Sequence, residues 1–412
     1  MANKSRNIKI ITFNNFPYGG AAANYIRYLA QALTESGNNV EVLLPAATAF
    51  GISVEPDVSK KGTIGNVKYR HLFFSRHPKN IIIKIFSIGC GIFNLVFNLV
   101  YLSLFKKDID IVVCYDTSFI YSCFYLSIIR LLRIKLINIL PEYYEKPKNI
   151  GLNLDTFRWY DFYFYIKHMT KYSNGSIVLS NYLKDYLVSA GKKEENIIII
   201  PNIIDPSVFD KKNIKPFKED YTTIGYAGTP TKKDGISDLI KSFSILNKKY
   251  RNTHLLIIGD ITNGDSVIPE LKIFASAIGI PESCITFTGL QSYVHIPELL
   301  HSCQILALTR PNGIFAEAGF PTKLGEYFAC KKPVVVTKVG DIPLYFNNEE
   351  HAILVEPENI KSIVLGFEKL INNKDLAFNI SNNAYLWVNE NLNYKNISCK
   401  IEVFINHIQN IK

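Results

Sequence analysis

A chain of 412 residues, 48% of them apolar, is too long for one hydrophobic core and suits two α/β domains. Its formal charge of +10 is uneven: residues 1–205 hold 24 Lys/Arg against 15 Asp/Glu, and the remainder is near neutral. Lys and Arg never interleave with aromatics as a nucleic-acid module requires, so nucleic acid is excluded as the expected partner, leaving an anionic lipid surface or an anionic acceptor.

In chain order, residues 8–13 predict a buried strand, closed by Asn14-Asn15-Phe16-Pro17 and then Gly19-Gly20. A helical pattern through Tyr25, Leu29, Ala32 and Leu33 ends at Gly37, and residues 40–44 predict the next strand. This is a βαβ unit with its glycine turn at the carboxyl end of the first strand. No G-x-G-x-x-G follows that strand and no acidic residue closes the second, which disfavours a nicotinamide enzyme. Gly19 and Gly20 could bring N–H groups close to a ligand, or form a plain structural turn.

Residues 81–105 are the most apolar stretch, with 21 uncharged residues between Lys84 and Lys106. The length tempts a membrane span. Gly89, Gly91, Asn94 and Asn98, and the position between two αβ elements, argue instead for one or two helices lying against a bilayer surface. Arg70, Arg76, Lys79, Lys84, Lys106 and Lys107 would then meet lipid headgroups. A buried or dimer-forming helix is the alternative. The strand at 110–114 runs into Asp116, and the strand at 135–140 into Pro141-Glu142-Tyr143-Tyr144-Glu145. Carboxylates at strand ends could orient an acceptor hydroxyl or act as a base, or merely cap nearby helices. The segment FRWYDFYFYIKHMTKY has the aromatic density of a core or of a membrane interface. A β run at 197–200, then Pro201 and a lysine-rich linker, predicts a domain boundary.

The strand at 223–226 opens a second sheet and ends in AGTPTKKDG, where Lys233 beside a glycine turn suits a diphosphate. Strands at 255–259, 284–289 and 305–308 follow, the last running into Thr309-Arg310. Then comes EAGFPTKLGEYFACKKPVVVTKVG. Gly319 and Pro321 punctuate it, and Thr322 is the expected N-cap of a helix carrying Lys323, Leu324 and Glu326. A helix start offers N–H groups to a diphosphate, and Glu326, about one turn in, can accept from two adjacent ribose hydroxyls. Glu326 on an ordinary solvated face is the plain reading. Residues from 387 onward are expected to be helical. The seven cysteines make no C-x-x-C pair and read as reduced core thiols, and no long apolar segment precedes the first strand, so a cytoplasmic protein without secretory leader is expected.

GFPTKLGEYFACKKPVVVTKVGDIP resembles the nucleotide-sugar site of the retaining GT-B glycosyltransferases of family four. SIVLSNYLKDYLVSAGKKEENIIIIPNIIDPSVF resembles the segment by which that family leaves its first domain. The resemblance implies the α/β GT-B fold, two Rossmann-like domains facing across a cleft. The first, 1–205, would bind acceptor; the second, 206–383, would bind nucleotide sugar; and a helix at 384–412 would return to the first. It implies retaining, metal-independent transfer from a UDP- or GDP-sugar to a glycan or lipid-linked saccharide, with no cofactor, on the inner face of a membrane. No D-x-D closes a strand, in keeping with a site without metal ligands. Carried onto this chain, the donor site would comprise Gly19, Gly20, Gly228, Lys233, Arg310, Gly319, Thr322, Lys323, Leu324 and Glu326. The catalytic candidates are Asp116, Glu142 and Glu317. Three departures stand out: the first of two family glutamates falls on Ala318, with Glu317 displaced by one; the arginine after the strand-end glycine is Thr229; and a frequent His is Asp116. A nucleotide-sugar epimerase of the same fold and a non-catalytic nucleotide-sugar or glycan binding protein are the alternatives, the apolar, basic first half speaking against the epimerase.

Overall fold

Runs of β-branched residues become the strands of two sheets. The computed structural model describes residues 5–47, 59–74, 76, 80–147, 150–151, 153–261 and 265–411. It divides into unit 1, Met1–Ile203 with Tyr394–Lys412, and unit 2, Ile204–Asn393.

Unit 1 holds β1 (Asn7–Thr12), β2 (Asn39–Leu44), β3 (Lys61–Ile64), β4 (Val67–His71), β5 (Ile111–Tyr115), β6 (Lys135–Leu140), β7 (Gly175–Val178) and β8 (Ile197–Ile199). They form one sheet in the order β3-β4-β2-β1-β5-β6-β7-β8, parallel except for the β3–β4 pair. The central strands are buried almost throughout, which is why IVVCY is a continuous apolar run and KLINIL does not alternate, its buried Asn138 accepting from the Ser173 and Ser176 hydroxyls. The β3–β4 hairpin was not foreseen. Its KGTI and VKYRH alternate weakly and flank Gly65, whose φ of 56° makes the tight turn.

The helices of this unit are α1 (Ala21–Glu35), α2 (Ile81–Tyr101), α3 (Phe119–Leu131), α4 (Leu154–Tyr172) and α5 (Asn181–Ser189). α1 leads from β1 toward one sheet edge and α3 leads from β5 toward the other, so right-handed crossovers put them on opposite faces. α2, α3 and α4 stand side by side.

α2 explains the apolar stretch. With the following turn it makes a helical segment, Ile81–Lys106, long and apolar enough by composition to cross a membrane, yet one side of it is docked on unit 1. Gly91 is the closest approach: a Cβ there would fall 1.7 Å from the Pro45 carbonyl oxygen. Ile92, Leu95 and Leu99 are buried beside it, whereas Ile82, Phe86, Phe93 and Phe97 face outward. Lys79, expected to flank this helix, lies outside the described residues.

Unit 2 holds β9 (Thr222–Ala227), β10 (Thr253–Ile258), β11 (Ile285–Phe287), β12 (Ile305–Leu308), β13 (Val334–Thr337) and β14 (Ile353–Val355), all parallel, in the order β11-β10-β9-β12-β13-β14. Its helices are α6 (Ile236–Lys249), α7 (Ile268–Ala277), α8 (Ile296–His301), α9 (Ile314–Ala318), α10 (Thr322–Ala329), α11 (Ile342–Tyr345), α12 (Ile360–Asn372) and α13 (Lys374–Asn391). The two ends of the unit meet: Ile204 bridges Asn393, and its N–H donates to the Leu392 carbonyl.

The helix expected from residue 387 to the end is two helices. α13 stops at Asn391, where Asn393 takes up the Ile204 bridge, and α14 (Tyr394–Asn410) begins afresh in unit 1. α14 lies along α1. Arg6 ties the first strand to it through Glu402, Asn406 and Gln409, and Asn38 donates to Glu402 at 3.0 Å. Gly175 leaves the space that Phe404 and Ile408 fill.

Candidate functional site

In an open parallel sheet, ligands bind beyond the carboxyl strand ends where the strand order reverses direction. In unit 2 that point lies between β9 and β12, because β10 and β11 extend one way and β13 and β14 the other. Gly228 follows β9, and Thr309 and Arg310 follow β12. The chain leaves β9 through a short 3₁₀ turn, Lys232–Asp234, into Gly235, which caps α6 with φ 68°. Gly235 cannot be larger, since a Cβ there would fall 1.8 Å from the Thr309 carbonyl oxygen.

This turn directs Asp234 inward and leaves Lys232 and Lys233 exposed. Asp234 Oδ2 lies 2.6 Å from Lys323 Nζ and 2.7 Å from the Tyr226 hydroxyl, and Oδ1 lies 3.1 Å from Arg310 Nε. Burial alone would raise this carboxyl, but Lys323 and Arg310 outweigh it and hold it at about 2. The Lys323 ammonium is pushed below the usual lysine range by burial, with Asp234 opposing the shift. Lys323 passes directly over Gly228, where a Cβ would sit 1.9 Å from its Cε. Arg310 is held at its backbone, whose carbonyl accepts from the Thr337 hydroxyl at 2.8 Å. Two cations thus converge on the switch point with one carboxylate between them.

The other expected donor-site residues fall around this cluster in different ways. Lys233 stands apart from it, its Nζ 5.8 Å from the Phe315 ring centre. Thr322 is not the N-cap: Pro321 takes that place with extended φ and ψ, Thr322 is the first helical residue, and no side chain caps the helix. Pro321 fits because it needs no N–H there, and its carbonyl accepts from Leu324 N–H at 3.1 Å. Leu324 is buried packing, and Gly319 closes α9. Glu326, on the next turn of α10, is half-buried and close enough to Lys323 to stabilise its charge. Ala318, at the place of the family's first glutamate, is buried; the exposed Glu317 accepts from the Gly340 N–H at 3.3 Å. Asp234 and Tyr226 were missed by sequence reasoning. The only signal was an acid wedged between two lysines and a glycine at a strand end.

Unit 1 has its own reversal, between β1 and β5. Gly19, with φ 149°, and Gly20, the N-cap of α1, follow β1. Asp116 follows β5 and accepts from the N–H groups of Thr117 and Ser118 at 2.8 and 3.0 Å, with the Tyr125 hydroxyl 3.5 Å away. Burial lifts it to about 7, against those two hydrogen bonds. Glu142, beyond β6, is exposed and accepts from Tyr144 at 2.8 Å. Because the folded value of Asp116 lies above its ordinary 3.8, the folded chain keeps a proton that the unfolded chain gives up. The associated stability is complete below about pH 4 and fades as pH rises through about 7, by up to about 4 kcal/mol. Asp116→Asn is expected to remove this component, so that its melting temperature gains on wild type as pH rises through that window. Parallel melting curves would show that Asp116 is ionised in the fold.

The model for glycosyl transferases group 1 matches residues 207–387, and that for glycosyltransferase family 4 matches residues 18–208. The capsular polysaccharide biosynthesis glycosyltransferase CapM of Staphylococcus aureus is 26% identical over 254 residues, 57% of this chain and 62% of that relative's length. Sucrose-phosphate synthase from Thermosynechococcus elongatus superposes with a TM-score of 0.71 at 14% identity, covering 98% of this chain and 99% of that one. HepE of Anabaena, solved with UDP and glucose, gives a TM-score of 0.71 at 15% identity over 97% and 99% of the two chains. These two likenesses carry the fold, and the two family models in succession carry the class. The chain is a glycosyltransferase of the GT-B fold, related to the group 1 and family 4 glycosyltransferases.

Proposed function

We propose that this enzyme transfers a sugar, with retention, from a UDP- or GDP-sugar to a hydroxyl of a glycan or lipid-linked saccharide, without requiring a metal ion. The observation that carries this reading is the pair Lys323 and Arg310 at the switch point of unit 2, with Gly228 leaving the room that the Lys323 stem fills. A diphosphate seated there would meet two cations in a water-poor setting, where each is worth more than in bulk solvent, and the charge of the departing diphosphate would be stabilised by the same two groups. The first turn of α10 adds its N–H groups. Glu326, a turn further on, would accept from the ribose hydroxyls. In unit 1, burial brings Asp116 to exchange its proton near neutral pH and Glu142 lies exposed at the next strand end, so both remain the candidates for handling the acceptor. UDP in the HepE structures supports a uridine donor. CapM's role in capsular polysaccharide biosynthesis supports a glycan acceptor.

Calorimetry with UDP, GDP and ADP and their sugars tests this directly. One base form is expected to bind wild type, and Glu326→Ala should bind it about 10- to 100-fold more weakly, the cost of losing hydrogen bonds to a charged acceptor. A wild-type chain that binds none of the nucleotides sinks the reading.

A further inference from the structure

We infer that the outer face of α2, α3 and α4 seats on a bilayer and that a basic hollow at its edge receives the phosphate of an anionic lipid. The inference does not rest on the donor site. All three helices connect parallel strands and descend from the carboxyl strand ends to the amino ends, so their last turns lie along one edge of the unit 1 sheet. There, below α3 and α4, a hollow of about 440 Å³ is ringed by Arg130, Arg133, Lys135 and Lys171, and among the described residues no carboxylate lines it. Arg130 and Lys171 flank the Tyr172 ring at 4.8 and 5.4 Å, and Lys135 reaches the Ile411 carbonyl. The nearby carboxylates Asp108 and Asp110 are already engaged, by Lys9 and by the Asn7 N–H.

Four cations around one cavity repel each other, and the carbonyl ends of two helices offset only part of that repulsion. An anion bearing several acceptor oxygens would complete the site. The adjoining surface indicates where that anion comes from. Leu131, beside Arg130, is 77% exposed, Phe105 is 75% exposed and Phe93 is 72% exposed. Outward-facing rings stack along the helices, Phe97 on Tyr101 and Tyr101 on Phe105, and Trp159 stacks on Tyr163. Apolar rings beside a cationic rim match the acyl boundary and the headgroup layer of an anionic membrane, which selects a lipid phosphate over a free one.

Flotation with vesicles of phosphatidylcholine, alone or mixed with phosphatidylglycerol, tests the assignment on the full chain. Wild type should prefer the mixed vesicles. The double variant Arg130→Glu/Arg133→Glu should lose that preference and bind mixed vesicles at least about 10-fold more weakly. Phe93→Ser/Phe97→Ser, which alters exposed positions only, should weaken binding to both compositions, with thermal melting confirming that each variant is folded. The assignment is overturned if wild type floats with neither vesicle, or if charge reversal leaves the preference intact, in which case the cations serve only the helix ends. It is also overturned if inorganic phosphate at matched ionic strength releases the protein, which marks a free-phosphate site. Wild type that ignores vesicles but self-associates, with the Phe93/Phe97 variant monomeric by light scattering, would assign the face to a second copy instead.

Discussion

Lys323→Met should lower kcat/KM by about two to three orders of magnitude, equivalent to about 3–4 kcal/mol of transition-state stabilisation. The ammonium is one of two cations at the unit 2 switch point, Arg310 buried and Lys323 largely covered; its stem crosses the glycine that opens the turn, and methionine preserves the stem while deleting the charge. Affinity for the nucleoside diphosphate should fall with it, since product and leaving group share the same contacts. Lys233→Met serves as the comparison. That ammonium is exposed and beside an aromatic ring, outside the Asp234 cluster, so its removal should change turnover no more than about threefold. Steady-state kinetics and product inhibition on both variants decide the matter. If Lys233→Met proves the more damaging, the diphosphate is held by the outer turn and the inner cluster is structural.

Asp234→Ala should destabilise unit 2 by about 3–5 kcal/mol, because it leaves Arg310 and Lys323 buried against each other without their shared carboxylate. The pH dependence separates charge from shape. Asp234 titrates at about 2 in the fold against an ordinary 3.8, so the unfolded chain takes up its proton first as pH falls. The contribution is present above about pH 4 and is lost toward pH 2, amounting to about 2 kcal/mol. Asp234→Asn should lose that acid limb while keeping more of its stability than Asp234→Ala. Denaturant unfolding at neutral and acid pH measures both effects. An alanine variant as stable as wild type would mean that solvent already screens the two cations.

The sheets were legible in the sequence because their inner strands are buried on both faces and therefore appear as apolar or β-branched runs that do not alternate, as in the LLII of β10 and the VVVT of β13. The β3–β4 hairpin escaped because an edge pair is half-solvated and its residues carry no such run. In the site, backbone punctuation was readable: Gly228, Gly235 and Pro321 all sit where the chain must bend or be approached, although the helix was expected to start one residue later, with Thr322 as its cap. Side-chain direction was not. Within one 3₁₀ turn, consecutive residues point about a third of a circle apart, so whether Lys233 or Asp234 faces inward depends on what β12 and α10 present to it. Arg310 and Lys323 lie 76 and 89 residues further along the chain from Asp234. Their charges draw the acid in, and nothing in the local spacing of the turn announces them.

The tie between Arg6 and the last helix has a consequence for synthesis. Unit 1 is discontinuous: its first strand, and the groove beside Gly175, are completed by residues that are made only after unit 2. Unit 2 is continuous, and its two ends close on each other at Ile204 and Asn393. On a translating ribosome the later-encoded unit can therefore finish first, while the earlier-encoded one waits with Arg6 and the α1 flank uncovered until α14 emerges. A stop codon shortly after residue 393 should spare unit 2 and cripple unit 1, so a nascent chain at that stage should be a client for a chaperone although unit 2 is already complete.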